Sequence, residues 1–515
     1  MARVNTIVIV GGGTAGWVTA HQFLNKTNDD VKVVVISTPE KPIIGVGEST
    51  TGRFNDLITL KNCVTGLDEK EFLKETESTF KLGIKHTDWK DIGHSFWSPL
   101  GDNYYNDEKY PHEDYDNFRI YHVADNLDYD KTFQSQLMAQ SRLHFKNDEN
   151  VLHSKYPPVA YHLDTYKVGQ YLKRKALESD RCSWINGELH STQLDNEGFL
   201  LSVRCSTKED KNFKVKGDLY IDCTGFAREL IDTCYKNSFI SYDHNLLVNR
   251  AITFNIENEE DKPIRNYTHA WAQKYGWLWE IPTQTRLGCG YVFDDRHTTP
   301  ENAHDEIEKV LGKKIDIQKD ISFKTGRMKK FWIRNVLSTG LSSGFIEPLE
   351  ATSIHATITQ ITHFIENYYK QDLPVNNQLL LDKYNNEMGE MWDHIRDFIS
   401  LHYCNARKDT SFWKDQGELW RVPNRLQNLL GMWEDRMPRT IDYISDKNNN
   451  FYHIGNSLMY HILIGMKVLT PTVAKQELID YNLFYTTKRK YQKMTEELQN
   501  DMKNFVTTNE YYKSL

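Results

Sequence analysis

Val4-Asn5-Thr6-Ile7-Val8-Ile9-Val10-Gly11-Gly12-Gly13-Thr14-Ala15-Gly16 opens the chain with a short apolar run that ends in glycines. The β-branched stretch up to Val10 predicts a strand buried on both faces, as in a parallel sheet. Gly11, Gly13 and Gly16 then stand at the three glycine positions of a dinucleotide fingerprint. The first allows a tight turn, the second lets the backbone approach a pyrophosphate, and the third lets a helix pack close to the strand. Trp17–Leu24 predicts that helix, and its first amides, from Thr14 and Ala15 onward, would face the phosphates. Val31–Ile36 predicts the second strand, so the fold class is α/β with a Rossmann-like cofactor domain.

The end of the second strand usually carries an acid for the ribose hydroxyls. Here Ser37 stands there and Glu40 follows three residues later. Either Glu40 reaches back or Ser37 makes a neutral contact. Ile44-Gly45-Val46-Gly47-Glu48-Ser49-Thr50-Thr51-Gly52 comes next, rich in glycine and hydroxyls. Such a strap can lie along an extended cofactor, which favours FAD over a nicotinamide dinucleotide. Glu48, with Ser49 beside it, could bond a cofactor hydroxyl or serve as an acid near a helix cap.

The charge balance of 63 basic against 71 acidic residues, a formal net charge of -8, gives no reason to expect a nucleic-acid partner. No apolar run reaches the 18 or so residues of a bilayer crossing, and the N-terminal segment lacks the pattern of a signal peptide. Seven cysteines without a C-x-x-C pair argue for reduced thiols and a cytoplasmic setting. No metal-ligand set is read in the sequence.

Further along, Phe80-Lys81-Leu82-Gly83 suggests a short strand, on which a lone lysine is ordinarily a solvated residue. Residues 99–116 read as a polar, tyrosine-rich insertion. Asp164 is placed to cap a helix, and His162 reads as structural. The strand Leu219–Asp222 would return to the cofactor sheet, where Asp222 could face the cofactor or cap the next turn. Tyr275–Pro282 reads as a strand with Trp277, Trp279 and Ile281 on one face and Leu287–Phe293 as its hairpin partner. That aromatic stripe is core packing or the rigid wall of a pocket.

Trp332–Leu337 reads as one strand, and Gly340–Gly344 as a tight backbone passage. Gly344-Phe345-Ile346-Glu347-Pro348-Leu349-Glu350-Ala351-Thr352 puts two carboxylates in an apolar turn just before an apolar helical pattern beginning at Ile354. Amides at such a helix start make an anion site, which Thr352 and Ser353 would supply. Glu350 lies either near the cap or in a cavity. Gly344 and Ile354 complete the candidate cofactor contacts. The last third is mainly helical, ending in a polar segment from Lys475 whose end is expected to be loosely held.

The Gly45–Thr50 strap, Phe80-Lys81, Trp277-x-Trp279-x-Ile281-Pro282 and Gly344–Thr352, taken together, resemble the flavin-dependent tryptophan halogenase family across nearly the whole chain. The resemblance implies a fold of the flavin monooxygenase type with a second sheet and a helical substrate region. The expected divisions are 1–98 for the first part of the FAD domain and 99–217 for flanking loops, helix and small strands. Residues 218–234 return a strand, 235–330 form the second sheet, 331–372 the FAD and halide segment, and 373–515 the substrate region.

It also implies that reduced FAD, dioxygen and halide yield hypohalous acid, which travels through a tunnel to an electron-rich aromatic substrate. Lys81 matches the lysine that bonds this acid or forms a haloamine, and Glu350 matches the second catalytic residue. The amides of Thr352 and Ser353 match the halide site, although Ala351 stands where the family commonly has serine and Ser353 where it has glycine. Trp277 and Trp279 match the pair that keeps substrate from the flavin. Phe412, Trp413, Tyr452 and Tyr460 are the substrate-pocket candidates. A separate NAD(P)H-dependent flavin reductase would supply FADH2, and a homo-oligomer is compatible with the pattern. The competing readings are an FAD-dependent aromatic monooxygenase without halide chemistry and an inactive FAD-binding scaffold.

Overall fold

In the computed structural model of the chain, the described residues are 3–39, 48–58, 66–101, 110, 112–128, 130–146, 159–371, 377–443, 454 and 456–515. Glu40, residues 44–47 of the glycine strap, residues 102–109 of the predicted insertion and Tyr452 lie outside them. The chain divides into two units. The first comprises Met1–Ser78, Leu163–Tyr242 and Phe323–Asp393, and the second Thr79–His162, Asp243–Ser322 and His394–Leu515. The first stretch therefore stops at Ser78, whereas the sequence reading carried it to 98, and Lys81 belongs to the second unit.

The first unit is built on an eight-stranded sheet. Its centre is parallel: Thr6–Val10 lies between Lys32–Ser37 and Leu219–Asp222, and Val336–Ser338 follows beyond. Val10, Ile36, Asp222 and Ser338 thus end at the same edge, where loops can meet a ligand. The strand Thr6–Val10 is fully buried after its first residue, as its apolar run requires. The helix Thr14–Lys26 is fixed by the Gln22 amide donating to the Ile358 carbonyl at 3.0 Å and by a 2.8 Å bond between His21 Nε2 and the Leu172 carbonyl. Burial pulls His21 down to about 4, so it is a neutral strut.

The predicted single strand at 332–337 is instead a tight antiparallel hairpin. Trp332–Ile333 pairs with Val336–Ser338, and Arg334 sits at φ +53°. Asn335 fills the turn and bonds Leu200 in both directions, its amide also reaching the Asp218 carbonyl. Those long-range partners explain a turn that the apolar pattern did not reveal.

The second unit contains a seven-stranded sheet in which only Tyr267–Ala272 and Gly83–Thr87 run parallel. Gly276–Pro282 is buried along its whole length and pairs with Arg286–Phe293 in the predicted hairpin. Leu278, Tyr291 and Phe293 pack beneath Ala303 and Ile307 of the helix Pro300–Leu311. Trp277 and Trp279 point the other way, as strand alternation demands.

The C-terminal end is stitched down rather than loose. Met494 and Met502 are buried, Phe505–Thr507 pairs with Arg142–Lys146, and Thr507 and Glu510 form a capping box on the last helix. Polar composition concealed this because the binding contacts come from a few aromatic residues and backbone groups.

Candidate functional site

Backbone geometry shapes the cofactor edge of the first unit. Gly11 has φ +112°, and a Cβ there would lie 2.1 Å from the Cys223 carbonyl oxygen. A Cβ on Gly16 would lie 2.0 Å from the Gly11 oxygen, whereas one on Gly13 would meet nothing within 4 Å. Gly13 also caps the helix Thr14–Lys26 without a side-chain bond. Open space beside uncapped amides at Thr14, Ala15 and Gly16 fits a pyrophosphate. Ser37 lies under Gly12, and its Oγ accepts the Trp184 indole N–H at 3.0 Å.

Glu48 and Ser49 form a two-residue strand. The following short helix has Thr51 at its N-cap position without a side-chain bond, and Glu48 lies three residues before it. Burial pushes the Glu48 carboxyl up to about 7. Thr51 Oγ1 bonds His355 Nδ1 at 2.9 Å, tying this segment to the helix Thr352–Asn367. Burial, and then the charge of Arg53, lower His355 to about 4.

Asp222 is wholly buried. Its carboxylate accepts from the Thr224 amide and hydroxyl and from the amides of Leu230 and Ile231, at 2.7–3.1 Å. Burial raises its pKa against the pull of these donors. All four donors come from the turn that follows it. Its backbone oxygen accepts the Ser342 hydroxyl at 2.5 Å and the Thr339 amide at 3.0 Å. Gly340 then packs so closely that its Cβ would lie 2.7 Å from Ala15. Asp222 thereby hangs the Gly340–Gly344 loop against the fingerprint helix.

Beyond that loop, Glu347 and Glu350 are both buried. Ala351 adopts φ +56° and caps the helix Thr352–Asn367 without a side-chain bond. Thr352 is 3% exposed, and its hydroxyl has no hydrogen-bond partner among the described residues. A buried donor at an uncapped helix start suits a small anion. Ser353 is partly exposed and Ile354 buried on the next turn. Gly344 lies against the Gly326 carbonyl and Trp392.

In the second unit side chains shape the site. Lys81 is 1% exposed, not the solvated lysine that its strand would ordinarily carry. Its strand Thr79–Lys81 pairs with Ala160–Leu163, setting Lys81 opposite Ala160. Thr79 Oγ1 donates to the Pro282 carbonyl at 2.6 Å, so the Ile281-Pro282 end of the tryptophan strand holds the lysine strand. His162 bridges Thr79 Oγ1 at 3.1 Å and Thr268 Oγ1 at 3.0 Å. Burial drives His162 and His86 well below the usual histidine range. The Lys81 charge lowers both further, after His402 and His269 in the case of His86.

Trp277 and Trp279 lie 6.1 Å apart between ring centroids. Trp89 contacts Trp277, Tyr403 and Trp413 at 6.2, 5.4 and 5.4 Å. Gly290 makes room for Trp279, since a Cβ there would stand 2.1 Å from its ring. Of the substrate candidates, Phe412 and Trp413 are fully buried and packed on each other, and the Trp413 indole donates to the Gln273 carbonyl at 2.7 Å. Tyr460 donates to the Pro438 carbonyl at 3.0 Å. Sequence reasoning missed the hub role of Trp89 and the stacking of His86 on Phe96 at 4.6 Å. The partners of Trp89 come from distant strands and helices, whereas His86 and Phe96 face each other across adjacent antiparallel strands.

The family model described as tryptophan halogenase matches residues 6–479. The chain belongs to the tryptophan halogenase family. Tryptophan 6-halogenase ThaL of Streptomyces albogriseolus is 28% identical, with 96% of this chain and 97% of ThaL covered. Tryptophan 7-halogenase RebH of Lentzea aerocolonigenes is 28% identical over 91% of this chain and 90% of its own. The solved structure of a tryptophan C-6 flavin-dependent halogenase from taromycin biosynthesis superposes with TM-score 0.87 at 25% identity, covering 99% of both chains. The protein is thus an enzyme of the flavin-dependent halogenase class. Among the described residues no helix is long and apolar enough to cross a membrane.

Proposed function

We propose that this enzyme halogenates an electron-rich aromatic ring, of the indole type acted on by the tryptophan halogenases it resembles, with FAD as its flavin. The observation that carries the reading is Lys81, a lysine buried to 1% exposure on a strand held by the Trp277–Pro282 segment. Gly11, Gly13, Thr14, Ala15 and Gly16 would hold the pyrophosphate, and Glu48 and Ser49 a further stretch of the cofactor. FAD, delivered reduced by a separate NAD(P)H-dependent flavin reductase, supplies the two electrons with which dioxygen oxidises halide to hypohalous acid and water.

The amides of Thr352 and Ser353, with the Thr352 hydroxyl, hold the halide. Ala351, whose methyl offers no hydrogen bond, leaves this site with fewer donors than a serine would. The Lys81 amine hydrogen-bonds hypohalous acid or reacts with it to a haloamine and water, chemistry that removal from solvent favours in a lysine. Glu350 polarises the electrophile or takes the proton that the ring loses on substitution. Trp277 and Trp279 form a wall that excludes substrate from the flavin. Phe412 and Trp413 support this wall from behind, through Trp89.

The test supplies reduced FAD, oxygen and competing chloride, bromide and iodide to the enzyme with a panel of indoles, phenols and pyrroles. Halogenated product is expected with wild type and none with Lys81→Ala, which should still oxidise reduced FAD. Products oxygenated but never halogenated, or full halogenation by Lys81→Ala, would overturn the reading.

A further inference from the structure

The last residues of the chain bear on the strand that carries Lys81. That strand has three residues, too few to hold its own register. The Phe80 amide donates to the Tyr512 hydroxyl at 2.6 Å. The Phe80 ring lies 5.5 Å from that of Tyr511, 6.5 Å from that of Tyr512 and 5.6 Å from that of Phe145. Phe145 and Tyr511 stack at 5.0 Å and 4°. The helix bearing both tyrosines, Thr508–Lys513, is anchored independently of them. It starts in the Thr507–Glu510 capping box, and Asn509 Oδ1 accepts the Ile264 amide at 3.0 Å.

We infer that Tyr512 is a positioning residue for Lys81, an inference that rests on the catalytic assignment of that lysine. Successive side chains of a strand point to opposite faces, so Phe80 faces the C-terminal tyrosines and Lys81 faces away. The Phe80 N–H belongs to the peptide between Thr79 and Phe80, one peptide ahead of Lys81. In a strand of three residues, a bond that holds this peptide limits the backbone torsions that redirect the Lys81 side chain. Removing the hydroxyl leaves a desolvated N–H without its acceptor, and the strand shifts to find another. A displacement of about 1 Å at a reacting group can cost about a hundredfold in rate. Pro282, through Thr79, holds the strand one residue earlier, so the lysine is clamped from two separate parts of the chain.

The experiment compares Tyr512→Phe with wild type in the full-length enzyme, given reduced FAD, oxygen, bromide and the indole substrate of highest turnover. A thioether traps any hypohalous acid released to solvent. The expected result is a fall of about tenfold in kcat, KM within about twofold, unchanged FAD affinity and more trapped oxidant per flavin oxidised. Thr507→Ala uncaps the helix without touching Phe80 and should give the same pattern at about threefold. Two results would overturn the inference: wild-type coupling in Tyr512→Phe, or kcat, trapped oxidant and FAD affinity all falling together, as general damage would produce. The underlying reading fails separately, if Lys81→Ala keeps halogenating. A dead Lys81→Ala beside a fully coupled Tyr512→Phe removes Tyr512 alone.

Discussion

The two units build their sites by different means. In the first, backbone does the shaping: Gly11 admits no side chain against the Cys223 carbonyl, Asp222 spends its carboxylate on the next turn, and Ala351 leaves a helix start uncapped. In the second, Lys81 is buried on a strand held through the Thr79 side chain, and Trp277 gains its place through Trp89 and, behind it, Trp413. Each backbone turn is compact in sequence because the turn and its helix are consecutive. Side-chain sites gather residues from 80 to 512.

The largest effect should come from Gly11→Ala. The new methyl has both a left-handed φ and a carbonyl oxygen at 2.1 Å against it. Neither obstacle can relax without moving the strand edge. We expect destabilisation of more than about 3 kcal/mol and loss of FAD binding altogether, read by thermal unfolding and flavin fluorescence. An Ala variant that still binds FAD near wild-type affinity would show that the first unit tolerates what its backbone geometry forbids.

That contrast also explains what could be read in advance. The fingerprint, the Asp164 cap and the tryptophan hairpin are local patterns, in which residue type and spacing carry the geometry. The hairpin at Arg334 depended on Asn335 reaching Leu200, and the anchoring of the C-terminus depended on Tyr512 reaching Phe80. No period in the sequence encodes either contact. The burial of Lys81 was hidden for the same reason, since a three-residue strand reads as exposed until its distant covers are known. The lysine, Glu350 and the departures at Ala351 and Ser353 were identified through family motifs instead.

Gly290→Ala tests the second unit by the same operation. Its methyl would enter the Trp279 ring at 2.1 Å, but an indole can tilt where a carbonyl cannot. Overpacking of this kind costs about 1–3 kcal/mol. We expect reduced halogenation with FAD affinity unchanged, measured on the same preparation. A loss of flavin binding comparable with that of Gly11→Ala would erase the distinction between the two kinds of site.

The smallest effect is a pH dependence, and it tests a side chain that the first unit offers to the cofactor. Burial raises the Glu48 carboxyl from its ordinary 4.5 to about 7, so the fold disfavours its ionised form. Between those values the folded chain keeps a proton that the unfolded chain has lost, and stability from this group declines as pH rises through the window. Below it both states are protonated; above it the whole penalty applies, about 1–2 kcal/mol once partial exposure is allowed for. Glu48→Gln keeps the shape without the ionisation. It should match wild type in Tm near pH 4.5 and exceed it near pH 8. Bound FAD would reverse part of this: a cofactor hydroxyl donating to Glu48 favours the carboxylate, so binding near pH 7 should release a proton from wild type and none from Glu48→Gln. Calorimetry in buffers of different ionisation enthalpy counts that proton. Equal counts in the two proteins would take Glu48 out of the cofactor's contacts and leave the cofactor to the fingerprint backbone and Ser49.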